Sequence, residues 1–110
     1  MGKYGELKYS GTIAAGIGEK RITVESGDTI LAESGGRYII SSVNNTTVVL
    51  PQSPLPGDTV EISSVNNSVN NIINRNNNKI MNESEDLIMN IKNTTVNLVF
   101  VNATFGWKVS

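Results

Sequence analysis

From Arg21 onward, apolar and polar positions alternate in short runs set between turn residues. Arg21-Ile-Thr-Val-Glu25 alternates and stops at Ser26-Gly27-Asp28, and Thr29-Ile-Leu-Ala32 stops at Ser34-Gly35-Gly36. An alternation of period two places successive side chains on opposite faces of a strand. The same reading predicts strands over 21–25, 29–32, 38–40, 46–50, 58–62, 71–74, 79–81, 87–91, 95–101 and 107–109. Pro51, Pro54, Pro56 and Gly57 interrupt the middle of the chain, because proline cannot donate to a sheet ladder. Asp58-Thr-Val-Glu-Ile62 then resumes, with Val60 and Ile62 on one face and Thr59 and Glu61 on the other. No window of 11 or more residues carries a helical stripe. Turn signals recur at the roughly 8–12-residue spacing of sandwiches and barrels. The expected fold is all-β: a small antiparallel sandwich or barrel-like domain over residues 21–110.

The first 20 residues read differently. Gly2, Gly5, Gly11, Gly16 and Gly18 punctuate them and apolar residues are sparse, so 1–20 are expected to be a flexible N-terminal arm or linker. Two echoes run through the remainder. Ser41-Ser-Val-Asn-Asn45 recurs as Ser63-Ser-Val-Asn-Asn67, and Asn45-Thr-Thr-Val48 as Asn93-Thr-Thr-Val96. Duplication of a hairpin edge and plain turn chemistry both account for them.

Composition narrows the chemistry sharply. The chain of 110 residues contains neither Cys nor His, which removes disulfides, thiol nucleophiles, Ser-His triads and the usual zinc ligands. With 9 Lys and Arg against 10 Asp and Glu, the formal charge is -1. That balance supplies no field to draw in nucleic acid or an anionic membrane. No apolar run approaches the roughly 20 residues of a spanning helix. Asn occurs 15 times and the β-branched residues Val, Ile and Thr 11, 12 and 9 times, so the chain is polar without being charged and is suited to strands.

Candidate sites are few. Asn74, Asn76 and Asn78, with Glu85 at the twelfth position, imitate the ligand spacing of a calcium loop. Three neutral amides, Lys79 in place of the required glycine, and flanking strands oppose that reading, so no metal or cofactor is expected. Glu83, Glu85 and Asp86 form a carboxylate cluster that reads as a solvated turn, and nothing shows a second carboxylate facing it. Pro51-Gln-Ser-Pro54 matches PxxP in letters, but a connector between strands explains it better. The segment Thr95-Val-Asn-Leu-Val-Phe-Val101 is apolar on much of both faces: Val96, Leu98 and Phe100 on one, Val99 and Val101 on the other. A strand buried twice points to a second layer. A domain this small can obtain one from a neighbouring subunit, and closed symmetry would also protect its edge strands. Val99, Phe100, Val101 and Trp107 are therefore the candidate core or subunit-contact residues.

Ile73-Asn-Arg-Asn-Asn-Asn-Lys-Ile-Met81, Glu85-Asp-Leu87 and Val96-Asn-Leu-Val-Phe-Val-Asn-Ala-Thr-Phe-Gly-Trp107-Lys-Val109 together resemble a recurrent module of bacteriophage structural proteins. There a Gly-Asp turn opens a strand, as Gly57-Asp-Thr-Val-Glu-Ile62 does here. An Arg-Asn-Gly turn, a Lys-Ile pair and an Ala-Glu-Asp-Leu step follow, and a Gly-Trp hairpin closes the module. The resemblance covers about residues 36–110, and Gly106-Trp107 with the strand before it is the most specific part. Asn77 or Asn78 stands where the family often has Gly, and Ser84 where Ala is usual. The resemblance implies a virion component of the tail-fibre, baseplate-appendage or capsid-decoration kind. Such proteins are commonly β-rich homotrimers without catalytic activity, bound to one another and to other virion proteins. A receptor- or carbohydrate-binding module at a fibre tip is the alternative. A hydrolase ranks last, since no acid–base pair can be argued.

Overall fold

The structure, a computed structural model, describes residues 22–110. The expected arm over 1–20 lies outside the described residues. Among the described residues nine strands follow in chain order: β1 Ile22–Glu25, β2 Thr29–Leu31, β3 Arg37–Ile40, β4 Thr47–Val49, β5 Thr59–Ser64, β6 Asn71–Asn74, β7 Leu87–Met89, β8 Thr95–Asn102 and β9 Gly106–Val109. They build two mixed sheets, ordered β1-β3-β5-β8-β9 and β2-β4-β6-β7. The chain is all-β across the described residues.

The pairing departs from the antiparallel expectation. β1, β3 and β5 lie parallel in one sheet, while β2, β4 and β6 lie parallel in the other. The chain thus runs one strand in each sheet, turns a corner between them and returns one layer further on, completing three rungs of a β-solenoid. Only then does it reverse. β7 pairs antiparallel with β6, β8 with β5 and β9 with β8, and these three close the far end of the coil. Alternation decides which face a residue takes but is blind to strand direction, so sandwich and coil present the same pattern.

Packing rows run from rung to rung. Ile30, Val48, Ile73 and Leu87 are register partners across the second sheet; Tyr38, Ile62 and Val96 are partners across the first. All point into the seam between the sheets, where Ile40, Val48, Ile62, Ile73 and Trp107 are fully buried. Each such aliphatic contributes about 1.5–3 kcal/mol by leaving water.

Side chains at the corners stitch the rungs together. Ser42 Oγ donates to Asp28 Oδ1 at 2.7 Å, and the Thr47 N–H to the Asp28 carbonyl at 2.9 Å. One layer on, the Thr46 N–H donates to Asn71 Oδ1 at 2.9 Å, and Asn71 and Asn66 exchange amide hydrogen bonds at 3.0 and 3.1 Å. The repeated Ser-Ser-Val-Asn-Asn segments do not stack as copies. Ile40 is the partner of Ser64, so Ser41 falls beyond β3 while Ser63 is still inside β5.

The strand expected at 79–81 is instead a tight hairpin, with Ile80 and Glu83 exchanging backbone hydrogen bonds at 2.9 and 3.0 Å. Its backbone runs beside β9: the Trp107 N–H donates to the Lys79 carbonyl at 2.8 Å, and the Met81 N–H to the Trp107 carbonyl at 2.8 Å. The edge of the first sheet at β9 is thereby covered, one of the ways in which sheets avoid chance pairing.

Candidate interaction surface

The four residues singled out from sequence separate in the fold. Phe100 and Trp107 face inward at 5% and 0% exposure, with ring centroids 5.4 Å apart and planes at 69°. That edge-to-face contact belongs to the core. Val99 is half-buried on the outward side of β8, and Val101 is exposed next to the register shift between Phe100 and Asn102.

Outward positions of the first sheet are mixed. Thr59, Val99 and Lys108 form one row, and Arg37, Glu61 and Asn97 the next. Arg37 Nε lies 3.6 Å from Glu61 Oε1, a half-exposed pair in high dielectric that adds little to stability. A shallow groove of about 520 Å³ runs over Arg37, Thr59, Glu61, Asn97 and Val99, between Gly35 and Ser110. Beyond it, Ser63 and Thr95 share a hydroxyl–hydroxyl hydrogen bond of 2.7 Å.

The second sheet presents a different face. Its outward rows are Thr29, Thr47, Ile72 and Ile88, and then Leu31, Val49 and Asn74. None of the seven is charged, and four are aliphatic, with Leu31 at 74% and Ile88 at 55% exposure. These residues were not singled out from sequence. The signal lay in adjacent aliphatic pairs, Ile30-Leu31, Val48-Val49, Ile72-Ile73 and Leu87-Ile88, because neighbours in a strand always point to opposite faces. Each pair supplies one residue to the core and one to the outer face.

The calcium-like spacing dissolves into backbone hydrogen bonding. Asn74 Oδ1 accepts from the Asn76 N–H at 2.8 Å, Asn76 Nδ2 donates to the Leu50 carbonyl at 3.0 Å, and Asn78 Nδ2 donates to the carbonyls of Pro51 and Gln52. These amides tie the hairpin to the proline-rich connector, and two of them present donors where a cation would need oxygens. Among the described residues, no cluster of three acidic side chains is placed to hold a metal ion. Glu83 and Glu85 are exposed, while Asp86 accepts from the Arg75 N–H at 2.9 Å and fixes the base of the turn. Tyr38 and Trp107 are both buried, so neither ring is open as a platform for a sugar face. No helix among the described residues is long and apolar enough to cross a membrane.

No protein-family model matches the sequence, and no curated protein matches it either.

Proposed function

We propose that this chain is a virion structural module, of the capsid-decoration or tail-fibre and appendage kind. It works without catalysis or cofactor, by packing against copies of itself as a homotrimer and against other virion proteins. The observation that carries this reading is the uncharged outer face of the second sheet, with an aliphatic residue on all four of its strands. Apolar patches that lack charge are the compositional mark of interface centres. The resemblance of residues 36–110 to phage structural modules supplies the setting, and the hydrogen-bonded corners supply a rigid body suited to assembly.

The reading is tested by light scattering on the purified chain. The parent protein is expected at three times the chain mass. Ile72→Asp, which sets a charge in the middle of the face, is expected at the mass of one chain with its strand circular dichroism retained. Val43→Asp, on a corner that is 94% exposed, is expected to leave the mass unchanged. A parent protein that stays monomeric at high concentration would overturn the proposal.

A further inference from the structure

The last strand is fastened on its outer side by a sulfur atom. Ser110 exchanges backbone hydrogen bonds with Asn97 of β8 at 2.9 and 3.2 Å, so the Val109 N–H, one residue earlier, points away from β8, as the Trp107 N–H does. Trp107 donates to the Lys79 carbonyl at 2.8 Å. Val109 donates instead to the Met81 thioether, at 3.3 Å. The other contacts between the hairpin and this edge are peptide bonds to peptide bonds: the Met81 N–H to the Trp107 carbonyl and the Asn82 N–H to the Phe105 carbonyl, both at 2.8 Å.

A thioether is a weak acceptor, and it is also the group that peroxides oxidise. Met89 is 3% exposed and Met81 44%, so of these two sulfurs one is shielded and one is open to water. The Met81 backbone is held at φ 52° by the hydrogen bonds on either side of it, which presents the sulfur from a fixed base. One of its lone pairs is engaged by the Val109 N–H. The other is the one that a solute can reach.

We propose that Met81 is an oxidation site for hydrogen peroxide, and that its oxidation uncovers the outer edge of β9 at Val109. The free lone pair attacks one peroxide oxygen: an S–O bond forms, the O–O bond breaks, and the second oxygen leaves as water with the proton the first one sheds. Sulfur is oxidised by two electrons to the sulfoxide and the peroxide is reduced. The sulfur then turns a partial positive charge towards the Val109 N–H while its oxygen points to water, so the hydrogen bond is lost. Attack from one side makes one sulfoxide epimer, whereas a freely turning methionine gives both. Each class of methionine sulfoxide reductase repairs one epimer, so only one class restores the thioether. The inference goes beyond the proposed function, since the hairpin and β9 form an edge of the first sheet and the assembly face belongs to the second.

The test is dilute hydrogen peroxide on the full folded chain, with fragment mass spectrometry to place the added oxygen. Met81 is expected to oxidise about tenfold or more faster than Met89. In the digest, one reductase class is expected to remove most of the oxygen from Met81 and the other class little. By nuclear magnetic resonance, the Val109 amide of the oxidised protein should exchange about threefold or more faster than in the parent, with Trp107 unchanged. Met81→Leu, which keeps an apolar side chain without the acceptor, is expected to show the faster Val109 exchange with or without peroxide. Equal oxidation of Met81 and Met89, or equal repair by the two reductase classes, would overturn the proposal. So would a Val109 amide that exchanges at the parent's rate in the oxidised protein or in Met81→Leu.

Discussion

Among the described residues, six other than glycine hold a positive φ, and five of them are asparagine: Asn67, Asn76, Asn77, Asn82 and Asn93. Asparagine tolerates the left-handed region because its short amide can bond locally, and it brings no charge. A third of the chain's 15 asparagines therefore serve backbone geometry, Asn77 with the largest φ among them at 73°. The sixth residue is Met81, at φ 52° in the first central position of the 80–83 hairpin. Its thioether accepts from the Val109 N–H at 3.3 Å, a weak bond against a left-handed cost of about 1–2 kcal/mol. Met81→Asn is therefore expected to stabilise the protein by about 0.5–1 kcal/mol, seen as a higher midpoint in urea titration. Gly106 has the reverse logic. At φ 82° a Cβ would run into the Lys79 carbonyl, the acceptor of the Trp107 N–H. Gly106→Ala is expected to cost about 2–4 kcal/mol, combining backbone strain with the loss of that bond. A midpoint equal to the parent's would show that the hairpin is not held to β9 in this way.

Between one element and the next, polar corners determine how the rungs stack. Asn71 is fully buried, accepts the Thr46 N–H and trades hydrogen bonds with Asn66, so it links the start of β6 to the corner before β4. Asn71→Leu keeps the branched outline of the side chain but leaves the buried Thr46 N–H without a partner, an expected loss of about 1–3 kcal/mol in chemical denaturation. Asn44→Leu, on an exposed corner, is expected to change stability by less than about 0.5 kcal/mol. Strands were legible at this scale because alternation and breakers mark them locally: Thr59 to Ile62 and Thr95 to Val101 read correctly down to the face of each residue. Their partners were not. Fifteen residues separate Ile22 from Arg37 but twenty-four separate Arg37 from Glu61, and the second sheet steps by eighteen and then twenty-five. Corners and connectors of unequal length erase the period that would reveal a coil. The outer face of the second sheet escaped notice for a related reason. An aliphatic doublet reads as core until both faces of its strand are seen.

At the scale of the whole molecule, an aliphatic face open to water and a core between sheets draw on the same force, and the difference is whether a neighbour covers the face. If trimers form through Thr29, Leu31, Val49, Ile72 and Ile88, unfolding releases three chains from one particle, and mass action makes stability depend on concentration. For a domain of this size, with an unfolding enthalpy of about 0.7 kcal/mol per residue, a trimer's Tm should rise by about 5 °C for each tenfold increase in protein. A monomer's Tm should not move. Leu31→Asn with Ile88→Asn removes aliphatic surface at 74% and 55% exposure without touching the inward rows. In calorimetry across about a hundredfold range of concentration, this double variant is expected to melt at a constant temperature while the parent protein's Tm climbs. At the lowest concentration, where the parent protein has dissociated, the two should melt within about 2 °C of each other, since neither change opens a cavity. A double variant that still tracks concentration would move the subunit contact to the other sheet, where Val99 and Val101 flank Lys108.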